Sequence, residues 1–140
     1  MPPESPIPVP ARIVTTELAI GSEHIDQYGH VNYKAYPALF ERGQDAYMAL
    51  CGVNFDDIEQ RFGLRSVVVS IALNYCNELC QGDQTSMVTV IARLGNSSFT
   101  FNQKLVHGEE HVADLEMVVV MVNKDGVPTR IPDELRKMLY

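Results

Sequence analysis

One short stretch of this chain carries residue types and spacing suited to chemistry at a carbonyl: Asp26-Gln27-Tyr28-Gly29-His30-Val31-Asn32-Tyr33, running on to Tyr36 and Phe40-Glu41-Arg42. Together with the preceding Glu23-His24-Ile25 it is polar and turn-like, and its composition and Gly29 argue against a helix there. Beyond it, Tyr36, Leu39, Phe40, Tyr47 and Leu50 fall at helical spacing. The loop therefore delivers a carboxylate to the start of a helix. The first N–H groups of a helix have no internal partner and carry partial positive charge. They can hold an oxyanion developing on a carbonyl while Asp26 attacks the carbon or directs a water at it. Gly29 lets the backbone come close to a ligand. This is an arrangement for acyl transfer rather than for phosphate binding or hydride transfer.

The elements that must position the loop follow from the pattern around it. Arg12–Ser22 is rich in β-branched residues and reads as a first strand. The helix runs from about Lys34 to Cys51, with Gly52 as its C′ residue. Ala35, Ala38, Ala46 and Ala49 occupy much of its remaining surface, which predicts burial on more than one side. Pro37 lacks an N–H and fits without a kink if the helix starts near Lys34. A second short helix has Asn54 as N-cap, Asp57 three residues on, and Gly63 as its stop. The second half changes period: Ser66–Tyr75, Thr85–Leu94, Ser98–Val106 and His111–Asn123 read as strands. Phe99, Phe101 and Leu105 alternate with Thr100, Asn102 and Lys104, the mark of one buried face. Turn signals at Gln81-Gly82-Asp83, Gly95-Asn96, His107–Glu110 and Lys124-Asp125-Gly126 leave only short connections, so the strands run antiparallel. Pro132–Leu139 closes the chain as a short helix. The result is an α+β layer packing of one long helix on a five-stranded sheet. Such a sheet does not cover a helix that is apolar on most sides, so an open helix flank or a sheet edge predicts self-association, most simply as a symmetric dimer.

Composition narrows the function classes. With 140 residues the chain is the size of one domain, read as a proline-rich arm over 1–11 and a folded domain over 12–140. Hydrophobic residues make up 46% and charged residues 21%, as in an ordinary globular protein. A net charge of −7 and a pI near 4.9 argue against nucleic-acid binding, which leaves a basic footprint. The apolar runs Val67–Leu73 and Met117–Val122 are far shorter than the ~18 residues of a membrane helix. The N-terminal residues lack the pattern of a signal peptide, and three cysteines, an odd number, point to free thiols in a reducing compartment, hence the cytoplasm. His107-Gly108-Glu109-Glu110-His111 has the H-x-x-E-H spacing of a zinc peptidase, but Gly108 and the flanking strands place it in a hairpin rather than on a helix. Cys76 and Cys80 have no second ligand pair nearby in sequence and read as buried or free thiols.

The loop and its setting resemble the 4-hydroxybenzoyl-CoA thioesterase family of hotdog-fold enzymes, in which D-x-x-G-x-V-x lies between the first strand and the central helix. The His30-Val31-Asn32 form is most similar to that family's long-chain acyl-CoA thioesterases. The likeness extends through Gly82-Asp83, Ser97-Ser98-Phe99 and Gly126…Arg130-Ile131-Pro132, from about Arg12 to Leu139. The proline arm and Pro37 are departures from it. The resemblance implies a hotdog fold: a five-stranded antiparallel sheet wrapped around one long helix. It implies hydrolysis of an acyl-CoA to free CoA and a carboxylic acid, with no metal or redox cofactor. Asp26 becomes the catalytic carboxylate, as nucleophile or general base, and the backbone N–H of Tyr33 polarises the thioester carbonyl. Gly29, His30, Asn32 and Tyr36 shape the loop and substrate site, and Glu41 is a secondary candidate. As partners it implies acyl-CoA, with neither nucleic acid nor membrane, and a homodimer or homotetramer. The bland counterparts are an Asx-turn at Asp26, an N-cap at Asn32 and simple packing at Tyr28 and Tyr36. Arg65, Arg93, Lys104 and Arg130 are candidate partners for the CoA phosphates. Two rival functions share the fold: a thioesterase acting on acyl-carrier protein, and a non-catalytic acyl- or CoA-binding module. A hotdog dehydratase is weaker, since no His-Phe-Pro-Gly-like loop is present.

Overall fold

Alternating apolar residues in the second half of the chain build four long strands, and the computed structural model, which describes residues 12–140, closes them into one sheet with a fifth. The proline-rich arm lies outside the described residues. The strands are β1 (Val14–Ala19), β2 (Arg65–Tyr75), β3 (Gln84–Leu94), β4 (Ser98–His107) and β5 (Glu110–Val122). Their order across the sheet is β1-β3-β4-β5-β2, every neighbouring pair antiparallel. The helices are α1 (Tyr36–Cys51), α2 (Phe55–Phe62) and α3 (Asp133–Leu139). This is the hotdog architecture.

Local chemistry accounts for the boundaries. Asn54 Oδ1 accepts the N–H of Asp57 (2.7 Å), and Asp57 Oδ2 accepts the N–H of Asn54 (3.3 Å), so α2 opens on a reciprocal cap. Gly52 ends α1 in the left-handed conformation with φ of 82°. Pro37 is in the first turn of α1, where its missing N–H costs nothing. Two boundaries differ from the sequence reading. The first strand stops at Ala19, and Ser22–His24 forms one 3-10 turn held by Gly21 N–H donating to His24 Nδ1 (3.1 Å). The central helix opens with a separate 3-10 turn, Tyr33–Ala35, before regular α geometry begins at Tyr36.

One stripe of α1 faces the sheet: Tyr36, Leu39, Phe40, Gly43, Gln44, Tyr47, Met48 and Cys51 are buried. The expectation of burial on several sides is corrected here, because Ala38, Ala49 and Leu50 are exposed, Leu50 by 63%. Opposite the stripe lie Phe99 and Phe101, edge-to-face at 5.4 Å, with Tyr47 edge-on to Phe101 at 5.8 Å. At Gly43 helix and sheet nearly touch: a Cβ there would sit 2.6 Å from Met87 Cγ and 2.7 Å from Thr89 Oγ1 and Gln103 Nε2. Beside it, Gln103 Nε2 donates to Phe40 O (2.9 Å) and Thr89 Oγ1 (3.0 Å), and Gln44 Nε2 donates to Gln103 Oε1 (2.9 Å). These buried amides are mutually satisfied, so they fix the depth and rotation of the helix. The uncovered apolar surface lies at the sheet edge. Strand β2 is exposed on both faces, with Val67, Val68, Val69 and Ile71 open to solvent.

Candidate active site

The loop that precedes α1 is stitched to its surroundings by backbone bonds. Asp26 N–H donates to His30 O (2.9 Å) and Gly29 N–H to Asp26 O (3.1 Å), closing a tight turn. Gly29 has φ of 82° with open space around its Cβ direction, so the glycine is required by backbone conformation and not by crowding. Asn32 N–H donates to His24 O (3.0 Å) and Val31 N–H to Leu79 O (2.9 Å), which ties the loop to the chain that leaves β2. His30 bridges Cys80 through its backbone, and its Nδ1 lies 3.5 Å from a Glu78 carboxylate oxygen.

Within this frame Asp26 is half-buried. Its Oδ1 accepts the N–H of Tyr28 (2.9 Å) and, at longer range, of His30 (3.4 Å). The Asx-turn anticipated as the bland reading is therefore present, but it engages one oxygen only, and Oδ2 faces no donor among the described residues. Asn32 caps the 3-10 turn by accepting the N–H of Lys34 (2.9 Å), and Ala35 N–H donates to Asn32 O (2.8 Å). With those two donors engaged, the N–H of Tyr33 is the first donor of the turn left for an outside acceptor.

Asp26, Tyr28, His30, Tyr33 and Tyr36 line one open cleft of about 630 Å³. Of the residues singled out in the sequence, these five line the same cleft, and Gly29, Asn32 and Glu41 do not. The opposite wall of the cleft was not foreseen: Tyr75, Cys76, Asn77 and Glu78. Tyr75 donates its hydroxyl to Tyr33 O (3.3 Å) and stands edge-on to Tyr36 at 5.0 Å. Burial, with smaller contributions from Tyr75 and Glu78, raises the Tyr36 phenol above its ordinary value, so it stays protonated in the neutral range. Asn32 acts through its cap and Gly29 through the turn. Glu41 is elsewhere, lining a second, more apolar groove with Pro37, Gln44, Phe55, Val68 and Ile71. Of the basic residues, Arg130 is already engaged with Asp133 (2.9 Å) and Asn96 (3.2 Å). The H-x-x-E-H spacing is split across the β4–β5 hairpin, with His107 3.9 Å from Asp83 and His111 facing Asp114. All three cysteines are free thiols, Cys51 buried and Cys76 and Cys80 exposed. No helix among the described residues is long and apolar enough to cross a membrane.

A long helix wrapped by an antiparallel sheet, with a carboxylate loop at its N-terminus, defines a class that the comparisons with known proteins also identify. The profile of the Thioesterase-like superfamily matches residues 20–139. The chain belongs to that family, and its hotdog fold agrees with it. A chloroplastic acyl-acyl carrier protein thioesterase of Arabidopsis thaliana is 21% identical over 122 residues, 86% of this chain, which spans 64% of that relative's length. A predicted thioesterase from Bacillus stearothermophilus is 27% identical, with a TM-score of 0.77 over 91% of this chain and 94% of that one. A mutant 4-hydroxybenzoyl CoA thioesterase, solved with 4-hydroxybenzoyl CoA, superposes with a TM-score of 0.83 at 18% identity, over 93% of this chain and 100% of that one, and shows the shared fold.

Proposed function

We propose that this protein hydrolyses acyl-CoA thioesters to free CoA and a carboxylic acid, with Asp26 as the catalytic carboxylate. The observation that carries the reading is the pairing of complementary groups in one cleft: an Asp26 oxygen free of hydrogen bonds and the unengaged N–H of Tyr33 at the start of a helix. A thioester carbonyl seated on the Tyr33 N–H gains a hydrogen bond that strengthens as its oxygen becomes an oxyanion. Asp26 then attacks the carbon through Oδ2 or draws a proton from a water that does so. The backbone N–H groups of Tyr28 and His30 donate to Oδ1 and hold the carboxylate in place for either route. Tyr36, Tyr75 and Tyr28 supply the apolar surface beside the thioester.

The edge of the sheet supports assembly. Edge strand β2 carries apolar side chains on both faces, a surface that a single copy leaves in water. Two copies related by a two-fold axis join these edges into one continuous sheet, giving the homodimer from which a tetramer can be built. Its test is sedimentation of the wild type beside Ile71→Lys: a dimer that dissociates in the variant supports the pairing, and an unchanged mass overturns it.

A second substrate class has one observation in its favour, the acyl carrier protein thioesterase among the relatives. The decisive experiment is thiol release from acetyl-, hexanoyl-, palmitoyl-, benzoyl- and hydroxybenzoyl-CoA and from the matching carrier-protein thioesters, with wild type and Asp26→Asn in parallel. Hydrolysis of a CoA thioester that is lost in Asp26→Asn establishes reaction and residue together. Turnover only on carrier-protein thioesters moves the assignment to that class. Tight binding of all without turnover makes the protein a binding module.

A further inference from the structure

Away from the Asp26 loop, three metal-ligating side chains meet where the β2–β5 ladder ends. Cys76 leaves β2, and His111 and Asp114 lie on β5. A sulfur, an imidazole nitrogen and a carboxylate oxygen from these residues all fall within 4.8 Å of one another. Residues three apart on a regular strand point to opposite faces. Here a bulge intervenes: Leu105 pairs with Ala113 while Val106 pairs with His111, so Val112 is an extra residue. Val112 and Ala113 both turn into the core, and His111 and Asp114 both line the groove on the other side. The Val112 carbonyl accepts the N–H groups of Cys76 (2.8 Å) and Asn77 (3.1 Å), which pins the cysteine beside the pair.

The geometry inside the pair is a second, independent observation. His111 Nε2 lies 3.1 Å from Asp114 Oδ2, yet that nitrogen makes no hydrogen bond and is shielded from solvent. Asp114 Oδ1 is engaged by Asn74 Nδ2 (2.9 Å), which orients the carboxylate as outer-shell partners orient metal ligands. A nitrogen and a carboxylate oxygen placed side by side outside hydrogen-bond direction are oriented as two donors to one shared cation. We propose that Cys76, His111 and Asp114 form a binding site for a thiophilic divalent cation, zinc in particular, with a fourth position left to water. A thiolate beside an imidazole selects zinc over magnesium or calcium, which prefer oxygen ligands alone. Tetrahedral zinc holds its ligand atoms about 3.3–3.8 Å apart, a contraction that rotation of the exposed Cys76 side chain supplies. Binding forms the metal–sulfur bond and releases the thiol proton to solvent. Because Cys76 also lines the Asp26 cleft, the ion would brace the Tyr75–Glu78 wall.

The test is independent of the thioesterase reading. Cobalt(II) is titrated into the full reduced chain and followed by absorption, and zinc is then added in competition. The expected result is one equivalent bound, with visible d–d bands and a near-ultraviolet sulfur-to-metal band that zinc removes. Cys76→Ser abolishes the sulfur band, and Cys80→Ser keeps it. His111→Ala and Asp114→Asn each weaken binding at least tenfold, and Asn74→Ala weakens it about ten- to a hundredfold. Circular dichroism confirms that each variant is folded. Absence of the sulfur band in the wild type overturns the site, as does its persistence in Cys76→Ser or undiminished affinity in the folded His111→Ala variant.

Discussion

The two halves of α1 serve opposite ends. Along its second half the polar groups turned to the sheet and the C-terminal segment are paired: Gln44, Gln103 and Thr89 satisfy one another, Tyr47 donates to Leu139 O (2.8 Å), and Arg12 donates to Met138 O (2.8 Å) and to Cys51 Sγ. Around its start a carboxylate oxygen and a helical N–H are left without partners in an open cleft. A buried polar group without a partner costs on the order of 1–3 kcal/mol, whereas an exposed one is solvated at little cost. The protein therefore pairs the polar groups of the half packed in the core and leaves those at the start of the helix open to solvent. Changes at the start of the helix should strike turnover with little effect on stability, and changes in the second half should do the reverse.

The sharpest break of that contrast is Asp26→Asn. The amide oxygen still accepts the N–H of Tyr28, so the melting temperature should stay near wild type while kcat on the preferred thioester falls about a hundredfold or more. A loss of stability as large as the loss of rate would erase the distinction. Next comes Phe101→Ala, which removes the ring packed against Tyr47 and Phe99; denaturant unfolding should show a loss of about 3–5 kcal/mol. Gly43→Ala should cost about 1–3 kcal/mol, because the crowding against Met87, Thr89 and Gln103 outweighs the gain in helix propensity.

Tyr47 gives the second half a signature in pH. Burial pushes its phenol up to about 12. The unfolded chain ionises near the ordinary value of about 10, so between pH 10 and 12 the native state holds a proton that the unfolded state has lost. Tyr47's contribution is then complete below pH 10 and falls as pH rises through that window, by about 1–3 kcal/mol; the raised Tyr36 phenol adds in the same direction, and the raised Cys51 thiol begins to do so from about pH 9. Urea unfolding across this window should show the slope, and Tyr47→Phe should flatten it. The smallest effect, and the one that joins the two halves, is Asn32→Ala. Loss of the cap on Lys34 should cost about 0.5–2 kcal/mol and free a second N–H beside that of Tyr33, so kcat should move with stability.

Much of this was legible from residue types a few positions apart. The reciprocal cap at Asn54 and Asp57, the left-handed Gly52 and the tolerated Pro37 are signals that reach no further than one helical turn. The Asp26–Tyr33 loop was legible for the same reason, since a turn closed by Asp26, Gly29 and His30 needs no distant partner. The helix surface was misjudged at Leu50 and the alanines because helical spacing defines a stripe but not how wide a sheet will cover it.

What lies far apart in sequence was decided by the register of the sheet. Tyr75 meets Tyr33 across 42 positions, and no local pattern marks the 75–78 segment as the second wall of the cleft. Glu41 and Asp26 are close in sequence, but the turn that starts α1 sends them to different grooves. The bulge at Val112 turns His111 and Asp114 to one face beside Cys76, and a strand pattern alone would place them on opposite sides. The residues and their order thus determined the helices, their caps and the Asp26–Tyr33 turn, because each rests on backbone bonds made within a few residues, and marked the strands through their alternation. The tertiary structure decided which side chains share a cleft, since that depends on how five strands and one helix divide a single buried surface.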